Sequence, residues 1–188
     1  QMITVNNVTL TYEGKTVLKN FSAQMDEREI SCLVGESGFG KTSLINAMLG
    51  FLPLATGGIQ GVPERLSVVF QEDRLFEDFT VIENLKLFAP PEKIADALAR
   101  CGLPGEEKTK VRELSGGMKR RVAIIRAVLC ESDYIIMDEP FSGIDAENKR
   151  KTALYICANL NGRGLFFTTH NEEDKLLFPQ AVHAAKEE

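Results

Sequence analysis

Gly35-Glu36-Ser37-Gly38-Phe39-Gly40-Lys41-Thr42 fits the spacing G-x-x-x-x-G-K-[ST]. Glycines let a loop curl until its N–H groups face one point, and a helix that follows adds the positive end of its dipole. Such a loop cradles a phosphate. In this pattern the lysine, Lys41, reaches the β- and γ-phosphates of a nucleotide, and the hydroxyl of Thr42 ligates Mg²⁺. An ordinary glycine-rich turn gives no reason for the Lys-Thr pair. Phe39 is bulkier than the position asks; only its N–H is needed, so its side chain is expected to point outward.

Tyr134-Ile135-Ile136-Met137-Asp138-Glu139-Pro140 sets two acids at the end of an apolar run. A carboxylate there costs desolvation unless a cation partners it. Asp138 fits the acid that holds Mg²⁺, and Glu139 the group that orients and deprotonates an attacking water. Upstream, Leu114-Ser115-Gly116-Gly117-Met118 reads as a helix start, with Ser115 as the cap and bare amides at the two glycines. That is a second anion site. If the two sites do not fold together, a two-fold dimer lets each copy lend its second site to the other's nucleotide.

These residues need elements to hold them. Residues 2–12 alternate as a strand with a break at Asn6-Asn7, Glu13-Gly14-Lys15 turns, and 16–25 returns as a second strand. Short apolar strands are expected at 29–34, 66–70, 134–137 and 165–169. Helices are expected at 41–49, 115–129 and 146–160, with a short last one from 171. Between 77 and 112, short helices broken by Pro90-Pro91 and by Gly102-Leu103-Pro104-Gly105 form a small inserted helical unit. Strands separated by helices imply an α/β core.

The 188 residues carry a net charge of −5, which argues against a general affinity for nucleic acid. No apolar run approaches the ~20 residues that cross a bilayer, and Thr4, Asn6, Asn7 and Thr9 make the start too polar for a signal peptide. Gln1, ahead of Met2, is given no role. Cys32, Cys101, Cys130 and Cys157 form no Cys-x-x-Cys pair and read as reduced, small hydrophobes. Lys119, Arg120 and Arg121 read as a solvated helix face.

With these motifs in order along nearly the whole chain, the sequence resembles an ABC (ATP-binding cassette) transporter ATPase of the P-loop NTPase superfamily. The resemblance implies a P-loop core with a mixed β-sheet, an antiparallel β subdomain and a compact inserted α-helical subdomain. The whole chain, 1–188, is then one ABC ATPase domain. Residues 1–71 and 114–188 are its nucleotide-binding core, and 72–113 its helical subdomain. It implies ATP and Mg²⁺ as ligands. Tyr12 matches the aromatic that stacks on adenine, though a plain strand aromatic fits it too. Gly35, Glu36, Ser37, Gly38, Phe39, Gly40, Lys41, Thr42 and Ser43 match the Walker A loop and its exit. Gln71 matches the Q-loop glutamine that senses Mg²⁺ and the γ-phosphate; a surface loop residue is the alternative. Ser115, Gly116, Gly117 and Met118 match the signature that acts in trans. Asp138 and Glu139 match Walker B and the catalytic base. Asp145 matches the D-loop acid, a helix cap, or both. His170 matches the switch histidine at the γ-phosphate, against a histidine satisfied by backbone. The catalytic set so implied is Glu139, His170, Gln71 and Lys41, with Thr42, Gln71 and Asp138 at the metal.

Met118 stands where the family usually has Gln. Met there, with Val69-Phe70-Gln71-Glu72 and Gly117-Met118-Lys119-Arg120-Arg121, is similar to importers of the nitrate, sulfonate and taurine group. The resemblance implies an ATP-dependent pair of cassettes at the cytoplasmic face of the cell membrane. Its partners are an integral membrane permease, with a substrate-binding protein if it imports, and no nucleic acid. The other use of the same motifs is a soluble ABC ATPase that acts on a non-transport protein complex. Leu75, Phe76 and Phe79 either line a groove for a permease helix or pack inside the helical insertion.

Overall fold

The computed structural model describes residues 2–184; Gln1 and the last residues of the span 1–188 lie outside them. The chain opens with β1 (Met2–Tyr12) and β2 (Lys15–Asp26), an antiparallel hairpin in which Tyr12 faces Lys15. Glu13 and Gly14, at φ 48° and 77°, make the tight two-residue turn that suits strand twist. The expected break at Asn6-Asn7 is a bulge within one continuous strand. Asn7 takes φ 46° and its N–H donates to Ser22 Oγ at 3.0 Å.

β3 (Ile30–Val34) then leads through the glycine-rich loop into α1 (Lys41–Met48). β4 (Thr56–Gln60) pairs with β1, completing a three-stranded sheet in the order β2-β1-β4. No strand is expected there from sequence, because Gly57-Gly58 hide the alternation. β5 (Leu66–Val69) is followed by α2 (Val81–Leu85), α3 (Pro91–Arg100) and two single 3₁₀ turns, Glu106–Lys108 and Val111–Glu113. Pro91 starts α3 at the position where a missing N–H costs nothing. After α4 (Gly116–Leu129) come β6 (Tyr134–Met137), α5 (Ala146–Asn159), β7 (Gly164–Thr169), α6 (Glu172–Lys175) and β8 (Val182–His183).

The fold class is α/β as expected, with parallel and antiparallel strands in separate sheets. Among the described residues the second sheet has the order β5-β6-β7-β3-β8 and its pairs are parallel. Both its faces are buried, so its strands read as apolar runs. Ile135, Met137, Leu165 and Phe167 face a core built with α2, α3, α4 and α5. Tyr134, Ile136, Leu33 and Phe166 face the opposite core, shared with α1 and the β1–β2 hairpin. Val81, Leu85, Ile94, Leu98 and Val111 of the helical stretch join the first of these cores rather than forming one of their own. All four cysteines are free thiols. Among the described residues no helix is long and apolar enough to cross a membrane.

Candidate active site

Four neighbouring parallel strands, β5, β6, β7 and β3, end at one edge of the sheet. Off their carboxyl ends come Gln71, then Asp138 and Glu139, then His170, then the glycine-rich loop. Open α/β sheets gather their ligand groups at such an edge. The strand order thus brings together residues that lie far apart in sequence.

In the loop, Gly38 and Gly40 adopt φ 88° and 89°. A Cβ on Gly40 would lie 2.5 Å from Val17 O, so the loop packs on β2 only with glycine there. Gly40 precedes α1 and no side chain caps the helix, which leaves its first amides to face the hollow. Lys41 is buried; its Nζ donates to Gly35 O at 2.6 Å and Glu36 O at 2.9 Å, and lies 3.3 Å from Glu139 Oε1. Phe39 is exposed, in line with the sequence, and still makes two contacts. Its ring lies over Gly35, 3.1 Å from where a Cβ would be, and meets Phe21 edge-on.

The two acids sit in different surroundings. Asp138 is buried and its carboxylate accepts two hydroxyl hydrogen bonds, from Thr42 Oγ1 to Oδ2 at 2.6 Å and from Thr168 Oγ1 to Oδ1 at 2.6 Å. Glu139 takes a left-handed backbone, φ 46°. That turn carries its carboxylate to Lys41 on one side and to His170 Nδ1, 2.8 Å away, on the other. Strain of this kind clusters where surrounding structure over-determines a residue. The Glu139 N–H is held by Thr168 Oγ1 at 3.1 Å. His170 is half-exposed and engaged with a carboxylate rather than with backbone.

Ser115 caps α4, accepting from the Met118 N–H at 3.3 Å. Gly117 is needed for packing as well: a Cβ there would lie 2.7 Å from Gly143 O. Asp145 caps α5 through the Asn148 N–H at 3.0 Å, and hydrogen bonds from Asn148 hold its carboxyl below the usual range. Ser115, Gly116, Gly117 and Asp145 line one hollow; Ser37, Gly38, Gly40, Lys41, Thr42 and Ser43 line another. Gln71 and Glu139 line both. Tyr12 is exposed and lies beside Thr42, Ser43, Asn46 and Phe51 at a further hollow.

One expectation is overturned. Arg120 and Arg121 are buried, not a solvated face; only Lys119 is partly exposed, paired with Glu77 at 2.7 Å. Arg121 donates to Cys101 O, Gly102 O and Asn148 Oδ1, at 2.7, 2.9 and 3.2 Å. Arg120 donates to the carbonyls of Phe70, Gln71, Asp138 and Glu139 and to Asp73 Oδ1. Burial of Arg120 is offset at Nη1 and Nη2, which carbonyls and a carboxylate take up, while its buried Nε has no partner among the described residues. Arg120 and Thr168 are the residues that sequence reasoning missed. Thr168-Thr169 just before His170 was the available signal for the second.

With this geometry in hand, residues 18–142, more than half the chain, match the model of the ABC transporter family. The chain belongs to the ABC transporter family. Membership in it carries ATP binding and ATP hydrolysis. An ABC transporter ATP-binding protein from Pyrococcus furiosus shares the fold at TM-score 0.81 and 24% identity, over 92% of each chain. The ABC family match stops short of Tyr12 at one end and of Asp145 and His170 at the other. Their placement therefore stands on the geometry above.

Proposed function

We propose that this chain is the ATP-hydrolysing subunit of an ABC transporter, one of two cassettes that close around ATP to drive a separate membrane permease. The observation that carries the catalytic half is Glu139, held between Lys41 and His170 at the mouth of the phosphate loop. ATP enters with its β- and γ-phosphates on the loop amides and Lys41, and with its base against Tyr12. Glu139 takes the proton of the attacking water, and His170 keeps that carboxylate aimed and contacts the γ-phosphate. Gln71 joins from the end of β5. The protein's contribution is position and charge.

Thr42 and Asp138 offer hard oxygen donors on joined side chains, which suits Mg²⁺, with Gln71 as the third ligand. Bound there, the ion supplies charge neutralisation for the phosphate oxygens. Each nucleotide is completed by Ser115 and Gly117 of the other cassette. Loss of the γ-phosphate reopens the pair. In this reading 1–71 and 114–188 form the nucleotide-binding core, 72–113 the helical subdomain, and the protein works at the cytoplasmic face of the membrane. Leu75 packs against the core, whereas Phe76 and Phe79 are exposed and touch edge-on. Those two rings suit a groove for a permease helix. Met118 and the residues around it favour the nitrate, sulfonate and taurine importer group.

Glu139→Gln tests the chemistry. The variant should bind ATP as the parent does, lose at least a hundredfold in turnover, in line with removal of a general base, and accumulate an ATP-bound dimer. Near-parental turnover would remove Glu139 as the base. Recovery from membranes together with an integral membrane protein tests the transport half; recovery with soluble partners alone favours the non-transport use.

A further inference from the structure

β5 and β6 run side by side in register up to Val69 and Met137, and the last ladder bond between them is from the Asp138 N–H to Val69 O at 2.8 Å. Beyond that point the strands part, β5 toward Gln71 and β6 toward Glu139. Two successive carbonyls from each strand end are left without a ladder partner across the gap. The guanidinium of Arg120 occupies that gap. Nη1 donates to Phe70 O, to Gln71 O at 3.3 Å and to Asp73 Oδ1 at 3.0 Å. Nη2 donates to Asp138 O and to Glu139 O at 3.0 Å. A planar fork with several fixed donors can bridge two strands in this way; a lysine ammonium, a point charge on a flexible stem, cannot hold both at once.

Arg120 lies on α4, just past the Ser115 cap and Gly117. Gly117 in turn packs on the Gly143 carbonyl. The helix that presents one anion site is thus clamped to the two strand ends that present Gln71 and Glu139 at the other. We infer that Arg120 is a positioning residue that couples the α4 amides to the catalytic edge, fixing the backbone of Gln71 and Glu139 so that the Glu139 carboxylate is aimed. Its guanidinium is taken up by the strand ends and Asp73 rather than by the reacting atoms. This rests on Glu139 as the base, so ATP turnover by the unsubstituted protein and its loss in Glu139→Gln are measured in the same assay. If the parent does not hydrolyse ATP, that reading fails and this one with it.

The test compares Arg120→Met and Arg120→Lys, each with and without Glu139→Gln, by equilibrium dialysis for ATP affinity and by single-turnover hydrolysis. ATP affinity should stay within about twofold, since Lys41 and Tyr12 are untouched. The hydrolysis rate should fall at least tenfold in both variants. In the Glu139→Gln background the same substitutions should change the residual rate less than twofold, because a residue that acts through Glu139 has nothing left to aim. A merely structural arginine would lower affinity and rate together and cost the same in both backgrounds. Should Arg120→Met fail to fold, Arg120→Lys, which keeps the charge beside Asp73, decides. A folded Arg120→Lys with a rate within twofold of the parent overturns the inference, as does an equal loss in both backgrounds.

Discussion

Thr168 uses one hydroxyl twice. It donates to Asp138 Oδ1 and accepts from the Glu139 N–H, so one side chain on β7 fixes a carboxylate and the left-handed peptide beside it. Thr168 is fully buried, so water cannot replace either bond. Thr168→Val keeps the shape and removes the oxygen, leaving the Glu139 N–H unsatisfied, a change that costs about 1–3 kcal/mol. Part of that falls on the site. The Mg²⁺ concentration giving half-maximal ATPase activity should rise and kcat fall, each by about tenfold, the equivalent of about 1.4 kcal/mol. Titration of activity with Mg²⁺ checks this. Thr168→Ser should restore both values, and unchanged Mg²⁺ dependence in a folded Thr168→Val would show that the hydroxyl positions nothing. The glycine-rich loop and the acid pair were legible because each is a contiguous string whose chemistry needs its own spacing. Thr168 and Arg120 were not, because their roles exist only once β7 lies beside β6 and α4 crosses under the ends of β5 and β6. A run of Lys-Arg-Arg on a helix gives no local sign that two of its members turn inward.

The elements repeat the same lesson. Long strands and helices with clear periodicity, β1, β2, α4 and α5, fall close to where the alternation places them. β4 escaped because two glycines interrupt its pattern, and β8 because two residues carry no pattern at all. α2 is the case in between. It is a five-residue helix, too short to persist by propensity, held by a reciprocal cap. Thr80 Oγ1 accepts from the Glu83 N–H at 3.3 Å, and Glu83 Oε2 accepts from the Thr80 N–H at 2.8 Å. The Thr80 backbone bond and the Thr80 hydroxyl hold the Glu83 carboxyl below the usual range. A lowered carboxyl stabilises the fold above its unfolded value, and that contribution is lost as pH falls through the lower, folded one. Thr80→Ala should therefore lower Tm by about 2–4 °C at neutral pH. The difference from the parent should shrink as pH falls below the ordinary carboxylate value of about 4.3 toward the lower, folded one, as Glu83 takes up its proton. Thermal melts at pH 7 and pH 3.5 measure it; a deficit that does not change with pH would mean that the carboxylate plays no part in the cap.

At the scale of the molecule, every group assigned to the chemistry leaves the same edge of one parallel sheet, whereas the Ser115–Gly117 amides sit at the start of a helix. The two hollows share Gln71 and Glu139, but the lysine and the glycine amides of α4 line different ones. In the proposed reading each hollow is half of a site, and a nucleotide that uses both draws on a second copy of the chain. If ATP turns over only between two cassettes, the rate at low protein concentration rises with the square of that concentration and becomes proportional to it once the pair is saturated. Specific activity should then climb with concentration toward a plateau. Ser115→Arg, which places bulk and charge on the α4 face and leaves the P-loop intact, should flatten that climb while ATP affinity of the isolated chain stays within about twofold. Steady-state ATPase assays over a hundredfold range of protein concentration, run beside sedimentation with ATP present, follow both quantities together. A specific activity that stays constant across that range, with the protein sedimenting as a monomer, would place the whole reaction within one chain and leave the α4 amides without a role in hydrolysis.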